Sequence, residues 1–481
     1  MAPLDKPWGL RWRCSYWYTT FVVGLGLLVD LMVYTIIVPV IPFRLQDLGY
    51  KGVSGLTGWM LFAYSASLVI STLPIAVVSE KYSNRQYILM LGQLILIGAQ
   101  IMLMEVRQYW LMIIARILQG ASSSVIWVLG LALVCDTTPE AIIGRQLGIA
   151  VSGFSLGAFI GPPVGGALYA RFGIRGPFIF STLVTVVDLI ARTLIIERKN
   201  ALLYGVDPAA LPSSEEKASG PTDLEGDKKA EKLSGQIADI ASKPSDNTED
   251  CIQASEHTVV SLSLLEVLKV LTKSVRAVTV VYNTLVYGIA YCSQEPALPL
   301  YLQSRWGLNS SKVGLVYLAG VVPTLVSAPV AGWLSDTKGP EWISTISFIV
   351  GIPWWGLIAI RGSLAEFIVF YAILNFFTAA ILSPLSAELA SIARSHEGVG
   401  YAHVYGAFNM AFGVGAALGP IIGGQLYQHL RKGWLAISMI AVGLLTVSSV
   451  LAFCFTGSIP LSRRLLRQEK STSPPAQSDA D

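Results

Sequence analysis

Charge is what this chain has least of. Only 14% of its 481 residues are Asp, Glu, Lys or Arg, where a soluble protein of that length carries roughly 25%. That scarcity excludes an ordinary soluble core. The net formal charge of +3 is uninformative alone, and nothing here calls for a nucleic-acid partner. The five cysteines (Cys14, Cys135, Cys251, Cys292, Cys454) have no paired spacing, so no disulfide or metal framework is implied. A hydrolytic triad, a nucleotide-binding glycine loop and a metal cluster are all missing. The expectation is therefore a protein that is not an enzyme and needs no cofactor.

What the chain has instead is apolar length: 53% of it is hydrophobic. Phe21 to Pro42 contains one acid, Asp30, and no base. A spanning helix needs roughly 20 such residues, and about 12 runs of that kind follow one another. The first run is too long for a secretory leader and is interrupted by Asp30, so it reads as a retained span. With an even number of spans both termini share a side. About 17 Lys and Arg lie near that side and about 10 near the other, which predicts cytoplasmic termini.

Composition divides the chain. Residues 1–16 form a cytoplasmic N-terminus and 17–196 a first bundle of six helices. Residues 197–258, rich in Ser, Lys, Asp, Glu and Pro, read as a disordered cytoplasmic linker. Residues 259–274 alternate Leu264, Leu265, Leu268 and Leu271 with Lys269 and Lys273, as a helix lying on the inner membrane surface does. A second bundle, 275–456, and a cytoplasmic tail, 457–481, complete the order.

The two bundles echo each other. GAFIGPPVGGALY (Gly157 to Tyr169) matches GAALGPIIGGQLY (Gly415 to Tyr427) at eight of thirteen positions. Pro39 and Pro42 recur as Pro296 and Pro299, and the turn with Glu80 recurs with Asp336. The shifts agree within two residues, so this is one internal repeat. Six spans per repeat, entering in the same direction, predict an all-α membrane protein of twelve helices in two parallel repeats, with a cavity between the halves near mid-membrane.

Several residues inside this frame carry chemistry. Gly153, Gly157, Gly161 and Gly165 fall every four residues on one helix face. There they admit a close neighbour, while Pro162 and Pro163 bend the helix. This packing seam doubles as a candidate hinge or seal. The turn GWLSDTKGPE, with Asp336 and Gly339, is a candidate latch between states; Glu80 and Arg85 are its weaker first-half counterpart. Arg116 lies inside span 4 with Gln119 one turn on as its expected partner, and a buried arginine must pair or line water. Asp30 in span 1 and Glu295 in span 7 are intramembrane acids suited to carrying a proton or meeting a cationic substrate. Asp188, with Arg192 one turn later, reads as a structural pair. Tyr34, Trp127, Asn283, Asn375 and Asn409 are weaker candidates for the cavity wall. Asn309-Ser310-Ser311 is a glycosylation sequon in an outer loop.

With these strings in view, the chain resembles the major facilitator superfamily, and within it the drug:proton antiporter branch with twelve spans. The strings are DLMVYTIIVPVIP in span 1, ARILQGASSS in span 4, GPPVGGALY in span 5, EPALPLYL in span 7 and VYGAFNMAFGVGAALGP in span 11. It is similar to vesicular amine transporters, whose substrate-contacting acid maps to Asp30, the span 7 acid to Glu295 and the span 4 arginine to Arg116. Other family positions are replaced: the span 2 lysine falls on Ser65, the span 10 acid near Ala379 and the span 11 acid on Asn409. The linker lies between spans 6 and 7, whereas the vesicular proteins carry their large loop between spans 1 and 2. In this the chain looks more like fungal members of the branch, which export natural products or toxins.

The resemblance and the residues together set the expectation: a monomeric plasma-membrane exporter of a small organic compound, driven by the proton gradient through alternating access. A vacuolar or vesicular amine loader and a membrane sensor that no longer transports are the alternatives.

Overall fold

The computed structural model describes residues 7–81, 85–139, 142–209, 272–360, 362–394, 401–457 and 460–464, and all regular structure among them is helical. The first half holds α1 (Leu10–Arg13), α2 (Tyr16–Ile37), α3 (Ile41–Asp47), α4 (Val53–Lys81), α5 (Arg85–Glu105), α6 (Tyr109–Thr137), α7 (Ile143–Phe172), α8 (Arg175–Thr193) and α9 (Arg198–Leu202). The second holds α10 (Val275–Ser293), α11 (Leu298–Trp306), α12 (Ser310–Lys338), α13 (Pro340–Leu357), α14 (Leu364–Ala380), α15 (Leu382–Arg394), α16 (Tyr401–His429) and α17 (Gly433–Phe455). Eleven helical segments among the described residues are long and apolar enough to cross a membrane. The expected ninth span, α13, is a helix of 18 residues. It falls outside that set because Pro340, Glu341 and three tryptophans dilute its apolar run.

Three expected spans are broken, each at proline. Span 1 stops at Ile37 and restarts as α3 with Pro42 in its first turn; span 7 stops at Ser293 and restarts as α11 with Pro299 in the same place. Proline has no N–H to give the preceding turn and fits a helix start. The break in span 10, between α14 and α15, precedes Pro384 by the same logic. Helix starts are capped by side chains: Ser15 for α2, Ser274 for α10 and Asn309 for α12. Ser363 and Glu366 form a reciprocal capping box on α14. Ser363→Ala is expected to cost about 1 kcal/mol, read as a lower thermal unfolding midpoint in detergent.

Each glycine helix lies against the first span of its own half. A methyl built on Gly153 or Gly157 would strike the backbone of α2 at Gly24 or Leu28, and on Gly165 that of Ile36; Gly161 faces Thr35. In the second half Gly415, Gly419 and Gly423 face α10 at Leu285, Ile289 and Ser293. Small residues thus let two backbones touch where any side chain would part them.

The halves meet at the face opposite the chain termini. Ser54 Oγ donates to the Gly424 carbonyl at 3.0 Å, and Ser310 Oγ to that of Gly166 at 3.2 Å. Gly58 packs on the Pro420 carbonyl and Gly314 on that of Pro162. Each contact is therefore made twice, by residues 256 or 258 positions apart. Gln46 Nε2 also donates to Gln303 Oε1 across the junction, at 3.0 Å. In each motif the two adjacent glycines divide the work: Gly165 and Gly423 close a half, while Gly166 and Gly424 close the molecule.

Of the expected linker, residues 197–209 are described. They form α9 and a turn in which Arg198 grips Asp207 at 2.8 Å, and that guanidinium holds the Asp207 carboxyl below its usual range. The remainder of the linker, nearly all of the 259–274 segment, and the tail beyond Arg464 lie outside the described residues, as does Cys251; Cys14, Cys135, Cys292 and Cys454 are free thiols.

Candidate functional site

Asp30 occupies the middle of α2 and is 3% exposed; Glu295 follows the end of α10 and is 7% exposed. The break before Pro296 turns Glu295 inward, where its carboxylate accepts a hydrogen bond of 2.6 Å from the Tyr34 hydroxyl of α2. Tyr317 Oη, on α12, donates to the Glu295 carbonyl at 3.4 Å. This acid of the second half is thus held by a residue of the first. Asp30 Oδ2 accepts from Ser123 Oγ at 2.6 Å and from Trp127 Nε1 at 3.2 Å, both on α6. Ser123 in turn accepts from Tyr64 of α4 at 3.0 Å. The Trp127 indole meets Phe154 edge-on, with centroids 5.1 Å apart.

Arg116 stands over the Tyr34 and Tyr64 rings, the first bonded to Glu295 and the second reaching Asp30 through Ser123. It is fully buried on α6, with its guanidinium 5.5 Å from the Tyr34 ring centroid and 5.4 Å from that of Tyr64. Nη1 donates to Gln119 Oε1 at 3.0 Å, the partner expected from the sequence. Cation–π contact with two rings offsets part of the cost of burying the charge, and Glu295 lies within Coulombic reach. The result is one buried polar line: Glu295, Tyr34, Arg116, Tyr64, Ser123, Asp30. A proton arriving at one carboxylate changes the electrostatics of a line that crosses both halves.

Sequence reasoning missed Tyr64 and Ser123. A serine within a Ser122–Ser124 run and a tyrosine in an apolar helix look like packing residues; the only signal was their position opposite Asp30 and Arg116. Tyr34 and Trp127, flagged weakly, are direct partners of the acids. Asn375 bonds back within its own helix, its side-chain amide donating to the Tyr371 carbonyl at 2.8 Å. Asn283 is buried, and Asn409 is exposed on α16. Ser65 is buried beside Tyr64. Asp188 and Arg192 form a buried ion pair of 3.0 Å.

Of the expected latch residues, the structure describes the side chain of Arg85 and the turn at Gly339. Arg85 pairs with Asp136, at the end of α6, at 2.6 Å. The side chains of Glu80 and Asp336 lie outside the described residues. Gly339, with φ +96°, makes the tight turn from α12 into α13 that a side chain would strain. Just beyond it, buried Glu341 pairs with Arg464 at 2.7 Å, tying α13 to the segment after α17. Asn309 is exposed at the start of α12, its side chain engaged by the Lys312 N–H at 3.0 Å.

Comparison with known proteins agrees with this architecture. The chain is 24% identical over 94% of its length to the MFS-type transporter ppzB of Metarhizium rileyi, covering 97% of that protein. It is 23% identical over 88% of its length to the synaptic vesicular amine transporter of Bos taurus, covering 73% of it. Among solved structures, a bacterial homolog of the human lysosomal transporter Spinster, inward-facing and unoccupied, superposes with a TM-score of 0.64 at 13% identity, over 98% of this chain and all of that one. The human organic anion transporter MFSD10 does so at 0.55 and 17% identity, over 91% of this chain and 99% of that one. The family model described as Major Facilitator Superfamily matches residues 23–291 and again 280–478. With a repeat of helices, a seam built twice and a family match over each half, the chain belongs to the major facilitator superfamily.

Proposed function

We propose that the protein is a proton-coupled antiporter that exports a small organic compound by alternating access, with Asp30 and Glu295 as its proton-carrying carboxylates. The observation that carries this reading is the placement of two buried acids, one from each half, on a single polar line through Arg116. Rocking of the halves must break or remake the Tyr34–Glu295 bond, so the charge state of Glu295 and the conformation are coupled. In this reading the termini face the cytoplasm and the seam of Ser54, Gly424, Ser310 and Gly166 closes the outer side. Protonation of Glu295 from outside then favours substrate release, and deprotonation toward the cytoplasm resets the site. The plasma membrane is the proposed location.

Deleting the gene in its host and comparing intracellular with extracellular metabolites identifies the accumulated compound. In proteoliposomes, a pH gradient is expected to drive exchange of that compound, and Glu295→Gln to slow it on the order of 100-fold with loss of the pH response. A Glu295→Gln protein that matched wild type in both rate and pH response would remove Glu295 from the mechanism. Asp30 beside the Trp127–Phe154 edge pair also suits an ammonium group. That favours a second reading, amine loading of an internal compartment, which imaging of a tagged protein separates from the first.

A further inference from the structure

Asp188, Arg192 and Gln93 form a charged centre that the polar line does not include. Asp188 and Arg192 are 0% and 1% exposed, and Gln93 is fully buried. Asp188 Oδ2 accepts from Arg192 Nε at 3.0 Å and from the Gln93 side-chain amide. A structural pair would close on itself, but this one does not. Asp188 Oδ1, Arg192 Nη1 and Nη2, and Gln93 Oε1 are buried without a protein partner, and so is Asp30 Oδ1. Leaving so many buried polar atoms unmatched is costly unless they serve something.

Of these atoms, Arg192 Nη2 lies against α2. A methyl built on Gly26 would land on Arg192 Nη2 and lie 3.2 Å from Asp188 Oδ2, so glycine at this position is what lets the guanidinium reach the helix. Gly26 precedes Asp30 by four residues, one turn on the same face, about 6 Å nearer the terminal side. Arg192 and Asp188 both act on Asp30 electrostatically. Ser123 and Trp127 of α6 bond Asp30 directly, and Tyr64 of α4 reaches it through Ser123 and carries Arg116 over its ring. α7 brings to α2 the glycine face that includes Gly153 and Gly157.

We propose that Asp188, Arg192 and Gln93 are a second ionic site of the coupling machinery, placed behind α2, in which Arg192 is shared between Asp188 and Asp30 and compensates the charge left on Asp30 when its proton departs. The inference rests on Asp30 being a coupling carboxylate. In this proposal substrate meets Asp30 from the side of Trp127 and Tyr64, whereas Arg192 of α8 approaches α2 at Gly26, one turn from Asp30. Proton and substrate thereby compete for Asp30 without having to share its counter-ion. Arg192 and Asp188 are positioning residues: they act through Asp30 and touch no substrate.

The test needs neither substrate nor flux. Dicyclohexylcarbodiimide reacts with protonated carboxyls in apolar surroundings, and peptide mass spectrometry locates the adduct. The full-length protein in liposomes at neutral pH is labelled, and the rate at Asp30 is read. Arg192→Gln withdraws the compensating charge and is expected to speed labelling of Asp30 about tenfold. Asp188→Asn frees Arg192 for Asp30 and is expected to slow it by a similar factor. Arg192→Lys keeps the charge and stays near the wild-type rate. Both Arg192→Gln and Asp188→Asn break the same ion pair, so a purely structural role moves the two rates in one direction, and that outcome, or no change in either, overturns the proposal. Opposite changes sustain it even in a protein found to exchange no protons for substrate, which keeps its failure apart from that of the transport reading.

Discussion

Gly424→Val is expected to hold the face opposite the termini open. The measurement is a distance between spin labels at positions 46 and 303, where Gln46 and Gln303 now touch across the halves. Wild type should give a short distance and the variant a population dominated by a longer one. A methyl on Gly424 would already stand 2.5 Å from the Ser54 carbonyl, which is backbone and cannot turn aside. Overpacking of this kind costs about 1–3 kcal/mol, a shift of roughly 5- to 150-fold in a two-state equilibrium. Ser54→Ala removes only the latch bond and should shift it by about 1 kcal/mol. The neighbouring glycine supplies the control. Gly423 faces Ser293 within its own half, so Gly423→Val should lower stability without favouring the long distance. If both valine variants merely lose stability, the division of labour within the glycine pair is wrong.

That division shows where sequence reading succeeds and where it stops. The repeat was legible because backbone packing permits almost no substitution: glycine is required where two helix backbones touch, so Gly161 and Gly419 stand at a fixed shift. The same shift contained more than was taken from it. Ser54 and Ser310, and Gly58 and Gly314, are also 256 positions apart, and comparing spans 2 and 8 with that offset would have found both halves of the seam. The breaks in spans 1 and 7 were foreshadowed by paired prolines, and the break in span 10 only by Pro384. Charged site residues were legible for a different reason. An acid or arginine inside an apolar run is costly, so Asp30, Arg116 and Glu295 stood out. Their neutral partners did not, because Tyr64 and Ser123 cost little to bury and gain a role only through what faces them. The reading of Asp188 and Arg192 as a structural pair followed from their four-residue spacing, which fixes the ion pair but says nothing about α2 on the other side.

Arg116→Met is expected to be the most damaging single change in the polar line. It takes the guanidinium from over the paired Tyr34 and Tyr64 rings and leaves the Glu295 carboxylate buried without that nearby charge. Leaving a buried charged group less well compensated costs about 1–3 kcal/mol, which should lower the unfolding midpoint in detergent by several degrees and abolish exchange. Arg116→Lys should fail in exchange as well, because a compact ammonium cannot stack its plane over the two rings and reach Gln119 at the same time. The informative protein is the double variant Arg116→Met, Glu295→Gln. With both charges gone the desolvation penalty is gone too, so much of the stability should return, while exchange should remain absent because no proton-carrying group is left on that half. A double variant as unstable as Arg116→Met alone would mean that Arg116 supports the fold through its rings and not through Glu295. A double variant that still exchanged with the wild-type pH response would remove the whole line from the mechanism.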